Sequence, residues 1–320
     1  MFELARDNLM SPPILGFLLG LIARLIKSDL RLPDQLYQGL AIYLLFAIGL
    51  KGGAQLSSED ISVLVMPILA TFLLGILTPI ITFYISGAVL KTSRANKAAL
   101  AAHYGSVSAV TFIVALQFLT HEEISSESYF PALVAILEIV GIVIAIFFAQ
   151  SGRKERKVLP ILYQALTGKS VLILIGAFLI GWLSGKRGVD PLAPLFIESF
   201  QGLLTLFLIQ MGILAAERLS EIKRNAGNLI FFAILVPVIQ GCLGLVLARW
   251  VQMSEGGALL FAIMAASASY IAAPAAVRAA IPQANASYYV TASLGITLPF
   301  NLTIGIPLFY GIAQWLYAIQ

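Results

Sequence analysis

The 320-residue chain is 59% hydrophobic and only 11% charged, whereas an ordinary soluble domain has about 25% charged residues. Apolar runs such as 61–90, 133–149, 171–183 and 229–247 reach or approach the roughly 20 residues that cross a bilayer as a helix. The composition therefore excludes a water-soluble domain and indicates an integral membrane protein with many spans. The net charge of +4 comes from basic residues in short loops, so we interpret it as a topology signal rather than a nucleic-acid site.

The first apolar run, 13–26, is predicted to be a retained membrane span rather than a secretory signal. Arg6 is the only basic residue before Pro12, so the segment lacks the basic region of a secretory signal. Glycine, proline and charge clusters divide the whole chain into ten predicted membrane helices, an all-α fold. These spans are 12–27, 36–51, 61–90, 98–119, 129–149, 170–185, 194–215, 227–250, 256–280 and 286–316.

The polar segment 150–169 separates two halves of five predicted spans each. It carries the basic cluster Arg153, Lys154, Arg156 and Lys157 directly after a span. We therefore expect three units: a first five-helix repeat at 1–149, a cytoplasmic linker at 150–169, and a second repeat at 170–320.

The two halves resemble each other at matching positions. The segment 37–40 (YQGL) returns 163 positions later as 200–203 (FQGL), and 105–110 (GSVSAV) returns 161 positions later as 266–271 (ASASYI). Chance similarity between two glycine- and leucine-rich segments is the alternative, but matches in register favour a duplication. Because each half has an odd number of spans, the second half enters the membrane from the opposite side. Such inverted repeats are typical of secondary transporters.

The distribution of basic residues predicts the orientation. With ten spans, one side holds 15 of the 20 Lys and Arg residues, and the other side holds only Arg6, Lys51, Lys186, Arg187 and Arg249. The side richer in positive charge is expected to face the cytoplasm. The sequence thus predicts a multi-pass protein of the inner (plasma) membrane, in contact with membrane lipid and with both termini outside.

A Ser-x-Ser motif lies in the middle of the fourth span of each half. Gly105 and Ala109 flank the first motif, and Pro274 interrupts the alanine-rich run around the second. Serines in membrane helices often only bond to their own backbone, which is the alternative here. Small residues and proline nevertheless favour a broken helix, and unwound backbone at this depth is tolerated where it lines a cavity.

Two broken helices from opposite halves bring half-helix N-termini together. Such N-termini bind small anions, while hydroxyls and freed carbonyls suit Na⁺. The predicted ligand is therefore a small polar anion, and the same site has groups that suit Na⁺. Its expected ligands are Gly105, Ser106, Ser108, Ser267 and Ser269 for the anion, and Ser108, Thr111, Ser269 and Glu138 for Na⁺.

Other polar residues in the predicted spans are weaker candidates. Glu138 lies between Leu137 and Ile139, and an ionisable residue at that depth is a functional candidate by default, although a protonated carboxyl or a packing contact are alternatives. Asn301 is expected to serve helix packing, and Arg278 to snorkel to the cytoplasmic surface. His103 and His121 have no companion metal ligands in the sequence.

At these same residues the sequence resembles the sodium-dependent bicarbonate transporter family first described in cyanobacteria. The segment 265–274 (AASASYIAAP) looks like the family's AASSSDISGP, and 278–287 continues it with Arg-Ala, Ile-Pro and Ala-Asn pairs. Gly105, Val107, Ser108 and Thr111 match the first-half motif, and the closing 305–314 also fits. The resemblance therefore covers both halves.

The resemblance implies a homotrimer that imports bicarbonate with Na⁺ through a core domain and a gate domain. It implies that Ser108, Thr111, Ser267 and Ser269 line the site, and it names a PII-like regulatory protein as a partner. Polar residues of the pattern are missing at three positions: Tyr270 replaces an aspartate, and Ala268 and Ala272 replace serines. A carboxylate and two hydroxyls that could bind a cation are thus missing, so we expect weak Na⁺ dependence.

Three functions compete at this stage. The first is a secondary transporter for bicarbonate or a similar small anion. The second is an anion channel or membrane sensor that binds the anion without coupled transport. The third, an intramembrane enzyme using Glu138, lacks a second catalytic group in the sequence, so we expect no enzymatic activity.

Overall fold

The structure, a computed structural model, describes Arg6, residues 8–150, Tyr163, and residues 166–220 and 227–318. This part of the chain is helical, with 84% helix and no strands. We label its helices in chain order as α1 (Pro12–Leu25), α2 (Asp34–Leu56), α3 (Val65–Leu90), α4 (Arg94–Tyr104), α5 (Ala109–His121), α6 (Phe130–Gln150), α7 (Lys169–Val189), α8 (Phe200–Ser220), α9 (Gly227–Trp250), α10 (Glu255–Ala266), α11 (Ala273–Ala280) and α12 (Ala286–Ala318).

Eight helical stretches of the described chain are long and apolar enough to cross a membrane, and one of them, Arg94–His121, includes both α4 and α5. The helices α1 and α10 are also apolar but shorter, with 14 and 12 residues. Both fall within predicted spans. The multi-pass, all-helical prediction is therefore confirmed, while the count of ten spans stays a prediction. Most of the predicted 150–169 linker, including the basic cluster Arg153, Lys154, Arg156 and Lys157, lies outside the described residues.

The helices pack in two layers. In the first layer α1 lies along α8, and α2 lies along α7. The second layer contains the remaining helices, in which α3 contacts α4, α6 and α9, and α9 contacts α10 and α12. Helix–helix contacts in membranes favour small residues that let backbones approach closely, and this chain uses glycine at both contacts of the first layer.

Glycines allow the backbones of these two helix pairs to touch. A Cβ atom on Gly20 of α1 would lie 1.9 Å from the carbonyl oxygen of Ile209, and one on Gly212 of α8 would lie 2.0 Å from that of Phe17. On the other pair, a Cβ on Gly53 would lie 1.9 Å from the Phe178 oxygen. No larger residue fits these positions without moving the helices apart.

The broken helices lie in the interior of the second layer. Residues 98–104 of α4 and 256–266 of α10 are all buried. Each of these helices begins at a serine N-cap, where Ser93 accepts a hydrogen bond from the Asn96 amide and Ser254 accepts one from the Gly257 amide. By contrast, α1 and α3 expose leucine, isoleucine and phenylalanine side chains, as a lipid-facing surface requires.

Candidate functional site

The first break separates α4 from α5. The helix stops at Tyr104, and Ser108 adopts an extended conformation as the N-cap of α5. Its Oγ atom accepts hydrogen bonds from the Thr111 amide at 3.2 Å and the Thr111 hydroxyl at 3.0 Å. A Cβ on Gly105 would lie 2.6 Å from the Ala101 oxygen and 2.8 Å from Pro79. The predicted break is thus present, and its glycine is required by close packing.

The second break separates α10 from α11. Ser267 is extended, with φ −90° and ψ 167°, and the helix resumes at Ala273. The Ser269 hydroxyl accepts a hydrogen bond from the Ala273 amide at 3.2 Å. Pro274 occupies the first turn of α11, where its missing N–H leaves no helical hydrogen bond unmade.

Hydrogen bonds join the two breaks to each other. The Ser108 amide donates to the Ser267 hydroxyl at 2.8 Å, and the Ser269 amide donates to the His103 carbonyl at 2.8 Å. The Ser108 hydroxyl also donates to the Tyr270 hydroxyl at 3.2 Å. Each break therefore satisfies backbone groups that the other break has freed, which stabilises non-helical backbone in the interior.

A small cavity lies where the breaks meet. Its polar lining comes from Ser108, Ser269, Tyr270, Glu138 of α6 and Ser170 of α7, and its volume is about 10 Å³. The first turns of α5 and α11 adjoin this cavity, and helix N-termini carry amide donors and partial positive charge. The lining thus combines hydroxyls, one carboxyl group and two helix N-termini, a set that can hold an anion and a hard cation together.

Glu138 is the ionisable residue of this cavity, and only 4% of its surface is exposed. No hydrogen bond or ion pair joins it to another described residue. One turn further along α6, a Cβ on Gly141 would lie 1.7 Å from the Gly105 oxygen. Close contact at Gly141 therefore brings α6 against the first break and places Glu138 beside it.

Three buried polar atoms near the breaks have no hydrogen-bond partner among the described residues: Ser106 Oγ, His103 Nε2 and Asn301 Oδ1. The Asn301 amide nitrogen donates to the Ala266 carbonyl at 2.9 Å, at the end of α10. Asn301 lies in a π-helical turn of α12, Asn301–Gly305. It therefore caps a broken helix, which is a more specific role than the packing expected from the sequence.

The structure brings only part of the predicted ligand set to the cavity. Ser108, Ser269 and Glu138 line it, whereas Thr111 and Ser267 are held behind it by their hydrogen bonds to Ser108. The remaining predicted residues, Gly105 and Ser106, are buried at the first break outside the lining.

Sequence reasoning missed Ser170, which lies far from both motifs and follows a polar linker, so no pattern marked it. Arg278 is exposed on α11, as snorkelling requires. His121 lies at the end of α5, and the described residues hold no group of three or more His, Cys, Asp or Glu side chains that could bind a metal.

A many-helix membrane fold with crossed helix breaks is typical of membrane transporters. A family model agrees: the Na⁺-dependent bicarbonate transporter superfamily matches residues 12–314. The chain belongs to this superfamily, as the resemblance of its motifs predicted. None of the curated proteins matches the sequence.

Proposed function

We propose that this protein is a secondary transporter that carries bicarbonate or a similar small anion inward together with Na⁺. The observation that carries the proposal is the pair of cross-bonded helix breaks around one cavity. Membership of a Na⁺-dependent bicarbonate transporter superfamily supports it. Hydroxyls and helix N-termini favour the anion, and the oxygens of Ser108, Ser269, Tyr270 and Glu138 are the ligand type that Na⁺ prefers.

The size of the cavity supports transport through alternating states. A space of about 10 Å³ is near the lower limit for one water molecule, and bicarbonate has four non-hydrogen atoms. Anion binding therefore requires the walls around Ser108 and Ser269 to move apart. This requirement favours a transporter over an open channel.

We further propose an architecture of ten spans in two inverted repeats, 1–149 and 170–320. The equivalent serine N-caps, Ser93 and Ser254, support it, as do the exchanged contacts of α1 with α8 and of α2 with α7. The basic residues support an orientation with both termini outside and the 150–169 linker in the cytoplasm. The homotrimer and the PII-like partner rest on the family resemblance alone.

The decisive experiment is uptake of labelled bicarbonate into proteoliposomes that contain the purified protein. The buffer should be alkaline and free of carbonic anhydrase, because CO₂ crosses lipid unaided. We expect saturable uptake that accelerates with an inward Na⁺ gradient and falls when choline replaces Na⁺. Non-saturable flux independent of Na⁺ would indicate the channel instead, and binding without flux would indicate the sensor.

A further inference from the structure

A second and larger cavity lies at the opposite end of α5 from Ser108. Its volume is about 220 Å³, and its walls come from α2, α5 and the segment 196–201 that leads into α8. The polar side chains on these walls are Lys51, Gln117, Thr120, Glu198 and Gln201. At roughly 30 Å³ per liquid water molecule, this space admits a small anion with part of its hydration shell.

The position of the cavity connects it to the candidate site. Thr111 and Gln117 lie six residues apart on α5, which is about 9 Å along a helix axis. The cavity walls belong to both helix layers, since α2 and α8 are in the first layer and α5 is in the second. A movement of one layer against the other would therefore open or close this cavity.

The charges in the cavity suit a monoanion. Lys51 is exposed and forms no ion pair with any described residue, and the amides of Gln117 and Gln201 add hydrogen-bond donors. The Thr120 hydroxyl already donates to the Leu116 carbonyl at 2.9 Å. Glu198 shares the cavity with Lys51, which leaves the two formal charges balanced. The attraction to Lys51 and the repulsion from Glu198 both grow in proportion to the charge of the ligand, so they offset each other for a dianion as for a monoanion. The cost of removing water grows with the square of the charge, so a dianion is disfavoured in this balanced cavity.

We propose that this cavity is the outer entry site, where the monoanion is held by Lys51 before it reaches the serines, and where Glu198 rejects dianions. The inference rests on the proposed transport function and on the proposed orientation of the chain. The ligand class is a small singly charged oxyanion such as bicarbonate.

Cysteine labelling tests the entry site without relying on transport. Thr120→Cys in a Cys242→Ala background places a single reactive thiol in the cavity wall. We expect bicarbonate to slow its modification by a membrane-impermeant maleimide added outside, and we expect this protection to disappear when Lys51→Gln is added. Sulfate should protect the Thr120→Cys thiol only in a variant that also carries Glu198→Gln. Absence of protection by bicarbonate, or protection that survives Lys51→Gln, would overturn the entry site.

Uptake kinetics complete the test. Lys51→Gln should raise the KM for external bicarbonate by about five-fold, the scale of one solvent-screened charge, with the maximal rate unchanged. Lys186→Gln removes an outer-side lysine that does not line the cavity, and its KM should equal that of the wild type. An unchanged KM in Lys51→Gln would contradict the entry site while leaving the transporter intact. Thiol protection without any uptake would support the entry site and refute the proposed transport.

Discussion

Ser108 has three simultaneous roles at the first break. Its hydroxyl caps α5, its amide bonds to Ser267 of the other half, and its side chain contacts Tyr270 at the cavity. Loss of an N-cap hydroxyl alone costs about 1 kcal/mol. The serine is therefore a modest contributor to stability, but it occupies the point where both breaks meet.

The first prediction concerns the two equivalent serines that line the cavity. Ser108→Leu and Ser269→Leu should each abolish bicarbonate uptake, because leucine fills a cavity of about 10 Å³ and removes a hydroxyl. Ser184→Leu, at an exposed position of α7, is the matched control and should transport normally. Uptake and oligomer size are measured for all three. If both cavity variants transport normally, the Ser-x-Ser motifs serve helix packing and do not bind the substrate.

The second prediction concerns coupling to Na⁺. Tyr270 is a phenol, which is uncharged near neutral pH, so it binds Na⁺ less strongly than the aspartate of the family pattern would. Glu138 contributes the carboxyl group of the cavity. We expect weak Na⁺ dependence in the wild type, a further loss in Glu138→Gln, and little change in Tyr270→Phe. The measurement is the uptake rate against Na⁺ concentration, and an unchanged curve for Glu138→Gln would exclude that residue from coupling.

At the scale of the element, glycines determine how closely the first-layer helices approach. On α8, Gly212 faces the backbone of Phe17, while an added Cβ on Gly202 would meet no atom within 4 Å. The same helix therefore contains a constrained glycine and an unconstrained one. This contrast allows packing to be separated from helix propensity.

The third prediction uses this contrast. Gly212→Ala should lower the stability of the detergent-solubilised protein by about 1–3 kcal/mol, the usual range for overpacking. Gly202→Ala should not lower it, and the higher helix propensity of alanine should raise it by up to about 1 kcal/mol. Thermal unfolding followed by tryptophan fluorescence compares the two variants. Equal melting temperatures would show that α1 and α8 are free to separate without loss of stability.

The helix boundaries and breaks show what the sequence could predict. Hydropathy predicted an apolar span at each of the long described helices. The glycine, the alanines and Pro274 correctly indicated where the two helices are broken. The hydropathy pattern predicted that α2 spans 36–51, but the helix continues to Leu56. The extra residues include Gly52 and Gly53, which pack against other parts of the protein rather than facing lipid. The π-helical turns of α12 and the cavity residue Ser170 depend on contacts distant in sequence, which no local pattern encodes.

At the scale of the whole molecule, the proposed orientation rests on basic residues that mostly lie in loops. The fourth prediction is that single cysteines in the 150–169 linker and at Gln320, in a Cys242→Ala background, react with an impermeant maleimide from opposite sides of the membrane. The linker should be labelled only in inverted vesicles and the C-terminus only in intact cells. Labelling of both positions from the same side of the membrane would contradict the ten-span topology.

Both halves of the chain contribute residues to the candidate site, and crossed hydrogen bonds join these residues. Residues 1–149 supply Ser108, His103 and Glu138, while residues 170–320 supply Ser267, Ser269 and Tyr270. A gene split within the linker would therefore encode two fragments, neither of which holds the complete candidate site. Expressed together, the fragments should complement each other and restore uptake. When a fragment is expressed alone, the backbone groups at its helix break have no hydrogen-bond partner from the other half. The cell's quality-control proteases should therefore degrade that fragment.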